Sequence, residues 1–246
     1  MTLAIIGGTG LTSLNGLEIA HREMVHTPYG EPSGPVTHGE LHGKKVMFLA
    51  RHGYGHTIPP HRVNYRANLW ALRHAGASRV MAVAAVGGIA PDLEPGIIAI
   101  PEQIIDYTWC REHTFFDQDL THVTHVDLTD PYDAELRGML LQAARAAGVG
   151  AIEGGCYGAT QGPRLETAAE IQRLARDGCT MVGMTGMPEA ALARELELAY
   201  ATCAVVANWA AGLHGQKTVS MEDIDHNLKT GMTHVRAVLD KLIPTL

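Results

Sequence analysis

Short runs of apolar residues alternate along the chain with longer segments in which apolar residues recur every three or four positions. The short runs are continuous rather than alternating, which is typical of strands that are covered on both faces of a sheet. They predict strands at 3–6, 46–50, 80–86, 97–100, 181–184 and 203–207. Such strands, separated by helices, favour an α/β fold with a mostly parallel or mixed central sheet.

The longer segments predict helices at 61–75, 134–147, 166–177, near 188–200 and after Ser220. The first three are each followed by a glycine, which is favoured just beyond a helix end, and the fourth opens with Pro188, which suits a first turn. Ser220 can cap the last helix. The apolar stripe of that helix consists of Ile224, Leu228, Met232, Val235, Leu239 and Leu242.

We interpret residues 1–246 as a single domain, because the chain has no internal repeat, low-complexity tract or linker. The segments 28–43 and 106–131 are interpreted as loops within that domain. The second is long for a loop without structure of its own, so we expect it to carry function or to lie at a subunit contact.

Composition narrows the class of protein. The chain has 246 residues, of which 46% are hydrophobic and 18% charged, as in ordered globular proteins. The net charge is −7, so the chain lacks the excess of basic residues by which proteins bind nucleic acid. There is no apolar run that could span a membrane, no secretory signal, and the four cysteines are widely spaced. We therefore expect a cytoplasmic enzyme with reduced thiols.

A glycine-rich turn follows the first predicted strand, with the sequence Gly-Gly-Thr-Gly-Leu at 7–11. Backbone amides in such a turn can point at an anion, and glycines allow the anion to approach closely. A phosphate-sized anion is the favoured interpretation. The alternatives are a nicotinamide dinucleotide, which needs another glycine where Ser13 stands, and a purely structural turn.

Arg51 and His52 stand at the end of the second predicted strand. The arginine offers a planar fork to a phosphate, the histidine adds a donor, and strand ends are where open α/β sheets bind ligands. The triplet Arg-His-Gly also resembles that of the histidine phosphatases, in which the histidine becomes phosphorylated, although there it follows the first strand. A surface pair without function is the remaining alternative.

Three further segments place polar residues next to strands or helix starts. Glu166 lies near a helix N-terminus, Thr185 at the foot of the next helix, and Asn208 at the end of an apolar strand. Taken alone, Glu166 could be a favourable first-turn acid and Asn208 a turn residue. Their shared position near strand ends favours a common site.

In this order, the five segments resemble the trimeric purine nucleoside phosphorylase family, and especially its 5′-methylthioadenosine phosphorylase branch, over nearly the whole chain. The matching motifs are Gly7-Gly8-Thr9-Gly10-Leu11, Arg51-His52-Gly53, His56-Thr57, Val63-Asn64-Tyr65, Gly162-Pro163-Arg164, Met184-Thr185 and Pro188-Glu189. The resemblance implies a mixed sheet flanked by helices and cleavage of a nucleoside by inorganic phosphate. Phosphate is then a co-substrate, and no metal or organic cofactor takes part. It also implies a homotrimer or a hexamer made of two trimers.

The resemblance implies roles for matching positions. Those expected to bind phosphate are Thr9, Arg51, His52, Thr185 and the backbone around Ala85, although Ala84 replaces a threonine of the family. Met184 is expected beneath the ribose, and His125 is expected to reach into a neighbouring subunit's site. His122 and His125 are three apart, but with no third ligand they do not predict a metal site.

The purine is expected to contact Leu165, Glu166, Asn208, Trp209 and Ala210. Asn208 and Ala210 stand where the methylthioadenosine branch has aspartates. Leu165-Glu166-Thr167 resembles the Phe-Glu-Thr of phosphorylases that act on inosine and guanosine. An asparagine can accept from the protonated N7 of a leaving purine and donate to a 6-oxo group, while a glutamate can accept from N1–H. This pattern favours hypoxanthine over adenine, with Asn208 as the catalytic residue.

Met221 and Ile224 occupy positions near the 5′ end of the sugar, where inosine-type phosphorylases place a histidine. An apolar pocket favours a 5′-methylthio group, although both residues could instead belong to the core stripe of the helix. The combination predicts phosphorolysis of S-methyl-5′-thioinosine to hypoxanthine and 5-methylthioribose 1-phosphate. The alternatives are an inosine/guanosine phosphorylase, a 5′-methylthioadenosine phosphorylase and, outside this class, a histidine-type phosphatase.

Overall fold

Apolar strands form the centre of a mixed, eleven-stranded sheet in the computed structural model, which describes residues 2–118, 120–215 and 218–246. The strands are β1 (Leu3–Gly7), β2 (Glu18–Glu23), β3 (Val36–Leu41), β4 (Lys44–Ala50), β5 (Arg79–Gly88), β6 (Ile98–Ile100), β7 (Gln103–Asp106), β8 (Ala151–Glu153), β9 (Cys156–Ala159), β10 (Met181–Gly183) and β11 (Ala199–Trp209). The helices are α1 (Tyr65–His74), α2 (Ala134–Ala146), α3 (Ala168–Arg176), α4 (Gly186–Glu195) and α5 (Met221–Leu242). The expected fold class is confirmed.

The long strand β5 lies at the centre of the sheet. It pairs in parallel with β1 and β11, and β1 pairs in parallel with β4. The strand order is β2-β3-β4-β1-β5-β10-β9-β7, and β11 links β5 to β6 and β8. Because β1, β4, β5 and β11 run the same way, their carboxyl ends meet at one edge of the sheet.

Helices cover the sheet on both faces, which explains why its central strands are continuously apolar. Along β1, Ala4 and Ile6 belong to the cluster that includes side chains of α1 and α4, whereas Leu3 and Ile5 belong to the cluster of α2 and α5. A strand that alternates between two buried faces has no position left for a polar residue.

The sequence prediction missed several strands. β3 lies in the segment interpreted as the loop 28–43, and β2, β7, β8 and β9 were not predicted either. β2 is exposed along its whole length and forms the edge of the sheet, so it lacks the apolar run by which a buried strand is recognised. β8 has only three residues.

Helix boundaries also differ. The helix expected at 61–75 is α1, which begins only at Tyr65, after a separate 3-10 helix at Pro60–Arg62. The helix expected near 188–200 ends at Glu195, and Ala199 and Tyr200 already belong to β11. The helix expected at 166–177 begins at Ala168, because Thr167 caps it and forms a reciprocal capping box with Glu170. The expected cap of the last helix is confirmed, since the Ser220 side chain accepts from the backbone N–H of Asp223.

Among the described residues, no helix combines the length and the apolar character that crossing a membrane requires. All four cysteines are free thiols.

Candidate active site

A cleft of about 460 Å³ opens at the edge of the sheet where the carboxyl ends of the parallel strands meet. Its walls come from the turn after β1, the ends of β4 and β11, the later part of β5, the loop after β9, the turn after β10 and the start of α5. The volume is typical of a site for a small molecule. All five segments that the sequence analysis singled out therefore contribute to one site.

The glycine-rich turn forms one wall of the cleft. The Leu11 amide donates to the Gly8 carbonyl, 3.0 Å away, and closes the turn. A Cβ atom at Gly8 would lie 2.5 Å from the Val83 carbonyl oxygen, so only glycine fits there. The next element along the chain is β2 rather than a helix, which disfavours a dinucleotide-binding turn.

Arg51 is fully buried, and its guanidinium fork is already engaged. Nε and Nη2 donate to the two carboxylate oxygens of Glu189, at 2.7 and 2.8 Å, and Nη1 donates to the Val83 carbonyl at 2.9 Å. The fork that we expected to face phosphate therefore faces Glu189, and only the remaining N–H groups on Nη1 and Nη2 are available to an anion. The sequence analysis did not identify this pairing, because it joins residues 138 positions apart.

His52 is buried beside Arg51, and its Nδ1 lies 2.8 Å from the Ile58 carbonyl oxygen. Because a carbonyl only accepts, Nδ1 carries the proton. Burial and the adjacent Arg51 charge lower the pKa of His52 to about 4, so the ring is neutral at neutral pH. Nε2 of the neutral ring is then an acceptor, whereas the sequence analysis expected a donor.

Thr185 lies in the cleft at the N-terminus of α4. Its side chain makes no hydrogen bond to the first turn of that helix, so the hydroxyl is available to a ligand. The Thr185 backbone N–H donates to the Tyr157 hydroxyl at 3.3 Å, and Met187 interrupts the first turn with a φ of −119° and a ψ of 141°. The donor that Thr185 offers to an anion is therefore its hydroxyl, not a helix N-terminus. Thr9, Thr185 and the N–H groups of Arg51 thus supply donors from three elements, and the neutral His52 adds an acceptor.

Asn208 reaches the cleft because β11 contains a bulge. Val206 pairs with Val86 and Asn208 with Gly87, so Ala207 is an extra residue in the strand. Bulges reorient side chains, and here the Asn227 side chain of α5 donates to the Ala207 carbonyl at 2.9 Å. The sequence analysis ended this strand at 207, but it continues to Trp209, so Asn208 lies within the strand rather than beyond it.

The orientation of the Asn208 amide follows from its neighbour. Nδ2 lies 2.7 Å from the Trp209 carbonyl oxygen, which can only accept, so the NH₂ group faces that carbonyl. The amide oxygen and one N–H therefore remain for a ligand. Trp209 itself does not line the cleft, because its ring packs against His214 with centroids 3.7 Å apart.

Glu166 lines the cleft from the loop that precedes α3. Its Oε1 accepts from the Thr160 hydroxyl at 2.6 Å, which leaves the other oxygen with capacity for a donor. The half-exposed Leu165 also lines the cleft, and Ala210 does so from the end of β11.

An apolar region lies at the start of α5, where Val219, Met221, Ile224 and Leu228 line the cleft. Met221 is 70% exposed and therefore lies at the mouth rather than in the core stripe that the sequence analysis considered as an alternative. Met184 also lines the cleft, next to Gly162. A side chain at position 162 would place its Cβ atom 2.4 Å from the Met184 sulfur, so the methionine needs a glycine there.

The sequence analysis missed Arg111, which is buried in the segment 106–131. Its guanidinium donates to the Met184 and Met187 carbonyls, at 2.9 and 2.7 Å, and to the Gln161 carbonyl at 2.8 Å. Arg111 thus joins the loop that carries Glu166 to the turn that carries Thr185. His125 in the same segment is exposed and does not line the cleft of its own protomer.

The fold and the cleft together define an α/β protein whose cleft is lined by Arg51, Thr9 and Thr185, by the polar side chains of Glu166 and Asn208, and by apolar residues. A family model described as the phosphorylase superfamily matches residues 2–244. The chain therefore belongs to the phosphorylase superfamily.

Several relatives are similar over nearly their whole length. A protein of Pseudomonas syringae pv. tomato, named probable S-methyl-5′-thioinosine phosphorylase, is 54% identical, over 98% of this chain and 97% of its own. The 6-oxopurine nucleoside phosphorylase of Pyrococcus furiosus is 46% identical, over 96% and 90%. Among solved structures, methylthioadenosine phosphorylase from Schistosoma mansoni in complex with adenine superposes with a TM-score of 0.95 at 31% identity, over 100% of this chain and 91% of its own.

Proposed function

We propose that this protein catalyses the phosphorolysis of S-methyl-5′-thioinosine, which yields hypoxanthine and 5-methylthioribose 1-phosphate. The observation that carries the proposal is that one cleft combines Glu166 and Asn208 with the apolar start of α5. The two polar side chains suit a 6-oxopurine, and the apolar residues suit a methylthio group. Relatives at 50–54% identity carry this activity in their names.

The part of the cleft around Arg51 holds the co-substrate, inorganic phosphate. Thr9, Thr185, the remaining N–H groups of Arg51 and the backbone near Ala85 donate to it. His52 accepts through Nε2, and the P–O–H group of hydrogen phosphate is a suitable donor. Holding phosphate in line with the glycosidic bond can contribute about 7–11 kcal/mol to the barrier reduction.

The reaction replaces one bond by another. A phosphate oxygen forms a bond to C1′ while the bond from C1′ to N9 breaks, and its electron pair moves to the purine. Hydrogen phosphate loses one proton overall, and hypoxanthine gains one. The Asn208 amide oxygen accepts from N7–H of the leaving base and stabilises it as charge develops.

The base pocket selects the purine by its hydrogen-bond pattern. The free oxygen of Glu166 accepts from N1–H of hypoxanthine, and the second N–H of Asn208 donates to O6. Adenine has a lone pair at N1, which would face the carboxylate, and mismatched polar sites of this kind discriminate by up to ~10⁴–10⁵. The apolar Met221 and Ile224 leave a 5′-hydroxyl without a partner, so inosine is the weaker 6-oxopurine substrate.

The proposal includes a cytoplasmic homotrimer, or two trimers paired as a hexamer, in which His125 of one subunit reaches a neighbour's site.

The second candidate is an inosine/guanosine phosphorylase, which is favoured by the 46% identity to the Pyrococcus furiosus 6-oxopurine enzyme. A methylthioadenosine phosphorylase ranks third. The histidine phosphatase alternative is disfavoured, since the family match is to phosphorylases.

The test compares kcat/KM for S-methyl-5′-thioinosine, inosine and 5′-methylthioadenosine, with phosphate present, by the release of free base. We expect methylthioinosine to exceed inosine by about 10–200-fold, the range for small apolar groups in a pocket, and to exceed methylthioadenosine by more. Equal or faster cleavage of methylthioadenosine would contradict the base pocket. Equal cleavage of inosine would favour the second candidate.

A variant pair tests the named residues. Asn208→Asp combined with Ala210→Asp should move the preference toward methylthioadenosine, because a carboxylate can accept from the 6-amino group. Glu222→Gln is the matched control, since Glu222 is exposed at the start of α5 and does not line the cleft. An unchanged preference in the double variant would contradict the role given to Asn208.

A further inference from the structure

The edge hairpin of the sheet brings together two histidines and a glutamate that the proposed reaction does not use. His21 on β2 pairs directly with His38 on β3, and Glu23 follows His21 by two positions. In a strand, residues two apart share a face, so all three side chains lie on the same side of the hairpin. Arg22, between them in sequence, lies over the Tyr54 ring at 5.9 Å.

The donor atoms of these three side chains converge. One ligand atom from each lies within 4.8 Å of the others, a property of no other group of three found among the described residues. The two imidazole rings are parallel, with centroids 4.3 Å apart, and His38 Nε2 lies 3.2 Å from a Glu23 carboxylate oxygen. In a tetrahedral zinc site with ligand bonds of ~2.0–2.1 Å, two donor atoms are ~3.3 Å apart. The spacing between His38 and Glu23 is therefore already that of a zinc site.

His38 Nε2 also lacks a satisfying partner. The atom is buried, and despite the short distance to Glu23 it makes no hydrogen bond of acceptable geometry. A buried polar atom without a partner is costly, and a metal ion would provide one. Because the two rings are parallel, their in-plane lone pairs do not yet meet at one point, and the exposed His21 ring has to tilt toward His38 before both can bind one ion. A register shift between Ile19 and His21 marks a bulge, a feature that often aims side chains at a site.

We propose that His21, Glu23 and His38 bind one Zn²⁺ ion, with water in the fourth position. Two imidazoles and a carboxylate are suitable ligands for zinc. The ion joins the exposed edge strand β2 to β3 and thereby fixes the register of the hairpin. None of the three residues lines the cleft, so the site stands independently of the proposed phosphorolysis.

The test measures Zn²⁺ binding to the untagged protein near neutral pH, in competition with a chromophoric chelator. We expect one tight equivalent in the parent, and a loss of affinity of at least ~100-fold in His21→Ala and in His38→Ala, since even outer-shell partners contribute up to that factor. His26→Ala is the matched control. Its Nδ1 lies 3.0 Å from a Glu31 oxygen, but that pair is not part of a group of three. We expect it to bind zinc like the parent.

Two further measurements keep the outcome decisive. The far-ultraviolet circular dichroism spectrum without zinc should be the same in parent and variants, which verifies that they fold. Glu23→Gln supplies a more conservative change if an alanine variant fails this check. Co²⁺ bound at the site should give the visible absorption of a tetrahedral or five-coordinate ion, and His38→Ala should abolish it. Absence of a tight equivalent in the parent, or equal binding in parent and variants, would overturn the proposal.

Discussion

At the scale of single residues, His52 shows how one backbone contact determines what a side chain can do. The Ile58 carbonyl holds the proton on Nδ1, and burial beside Arg51 keeps the ring neutral. An acceptor in a phosphate site favours an anion that still carries a proton. The sequence identifies a histidine at this position, but only the contact with Ile58, six residues away, defines its tautomer.

The lowered pKa of His52 predicts acid sensitivity. The pKa falls from 6.5 in the unfolded chain to about 4 in the folded one, so the unfolded state binds a proton first. This contribution to stability is complete above about pH 6.5 and is lost as the pH falls toward 4; its size is on the order of 3 kcal/mol. Between pH 6.5 and pH 4, we expect the free energy of unfolding to fall less steeply in His52→Phe than in the parent.

The readout is the slope of the unfolding free energy against pH, measured by chemical denaturation, rather than its absolute value, because the substitution also removes a hydrogen bond. His26→Phe is the control for the change of a histidine to phenylalanine, since His26 is exposed. Equal slopes for the parent and for His52→Phe would contradict the lowered pKa of His52.

At the scale of elements, Arg111 connects two loops that the proposed site needs in fixed positions. It lies in the long segment after β7, for which the sequence analysis expected function or a subunit contact. All its hydrogen-bond partners are neutral oxygens, four of them backbone carbonyls. A buried arginine that satisfies carbonyls of separate loops acts as a positioning residue, since it does not line the cleft.

Removal of this guanidinium should cost both stability and affinity. In Arg111→Met, buried carbonyls lose their donors, at about 1–3 kcal/mol for each group left unsatisfied. We expect the free energy of unfolding to fall by about 3 kcal/mol or more, and KM for the nucleoside to rise more than kcat falls. Arg145→Met is the control. Arg145 is exposed, and we expect a change within about 0.5 kcal/mol. A loss of stability without any change in KM would restrict Arg111 to a structural role.

Elements that bury apolar residues were predictable, and those that do not were missed. The strands 3–6 and 80–86 correspond to β1 and β5 because both faces of each are covered. The exposed β2 gave no such signal, and the Ala207 carbonyl in the bulge accepts a hydrogen bond from Asn227, which belongs to another element. Local patterns contain no information about a partner that arrives from a distant part of the chain.

At the scale of the whole molecule, several large apolar side chains are exposed in the segment between the end of β7 and the start of α2. They are Trp109, Leu120, Val123 and Val126. Exposed apolar side chains are common at interfaces. Their exposure suits the proposed trimer, in which this segment, together with His125, contacts a neighbouring subunit.

The proposed trimer predicts complementation between two variants of reduced activity. We expect His125→Ala to lower kcat/KM by about tenfold, the value of one hydrogen bond, and Asn208→Ala to lower it further. After unfolding and refolding the two variants together, a His125→Ala protomer should recover activity by receiving His125 from an Asn208→Ala neighbour. Activity no greater than the sum of the separately refolded variants would contradict a shared site.

The sequence by itself determined the fold class, the family and twelve of the residues that line the cleft. Its information is local: apolar runs that must be buried, glycines at a close turn, and motifs in order along the chain. Only the tertiary structure decided which way those side chains act. The Arg51 guanidinium binds Glu189, Trp209 does not line the cleft, and Asn208 lies in the cleft next to a bulge in β11. The reason is that hydrogen-bond partners and strand register are set between residues far apart in sequence, where no local pattern specifies them.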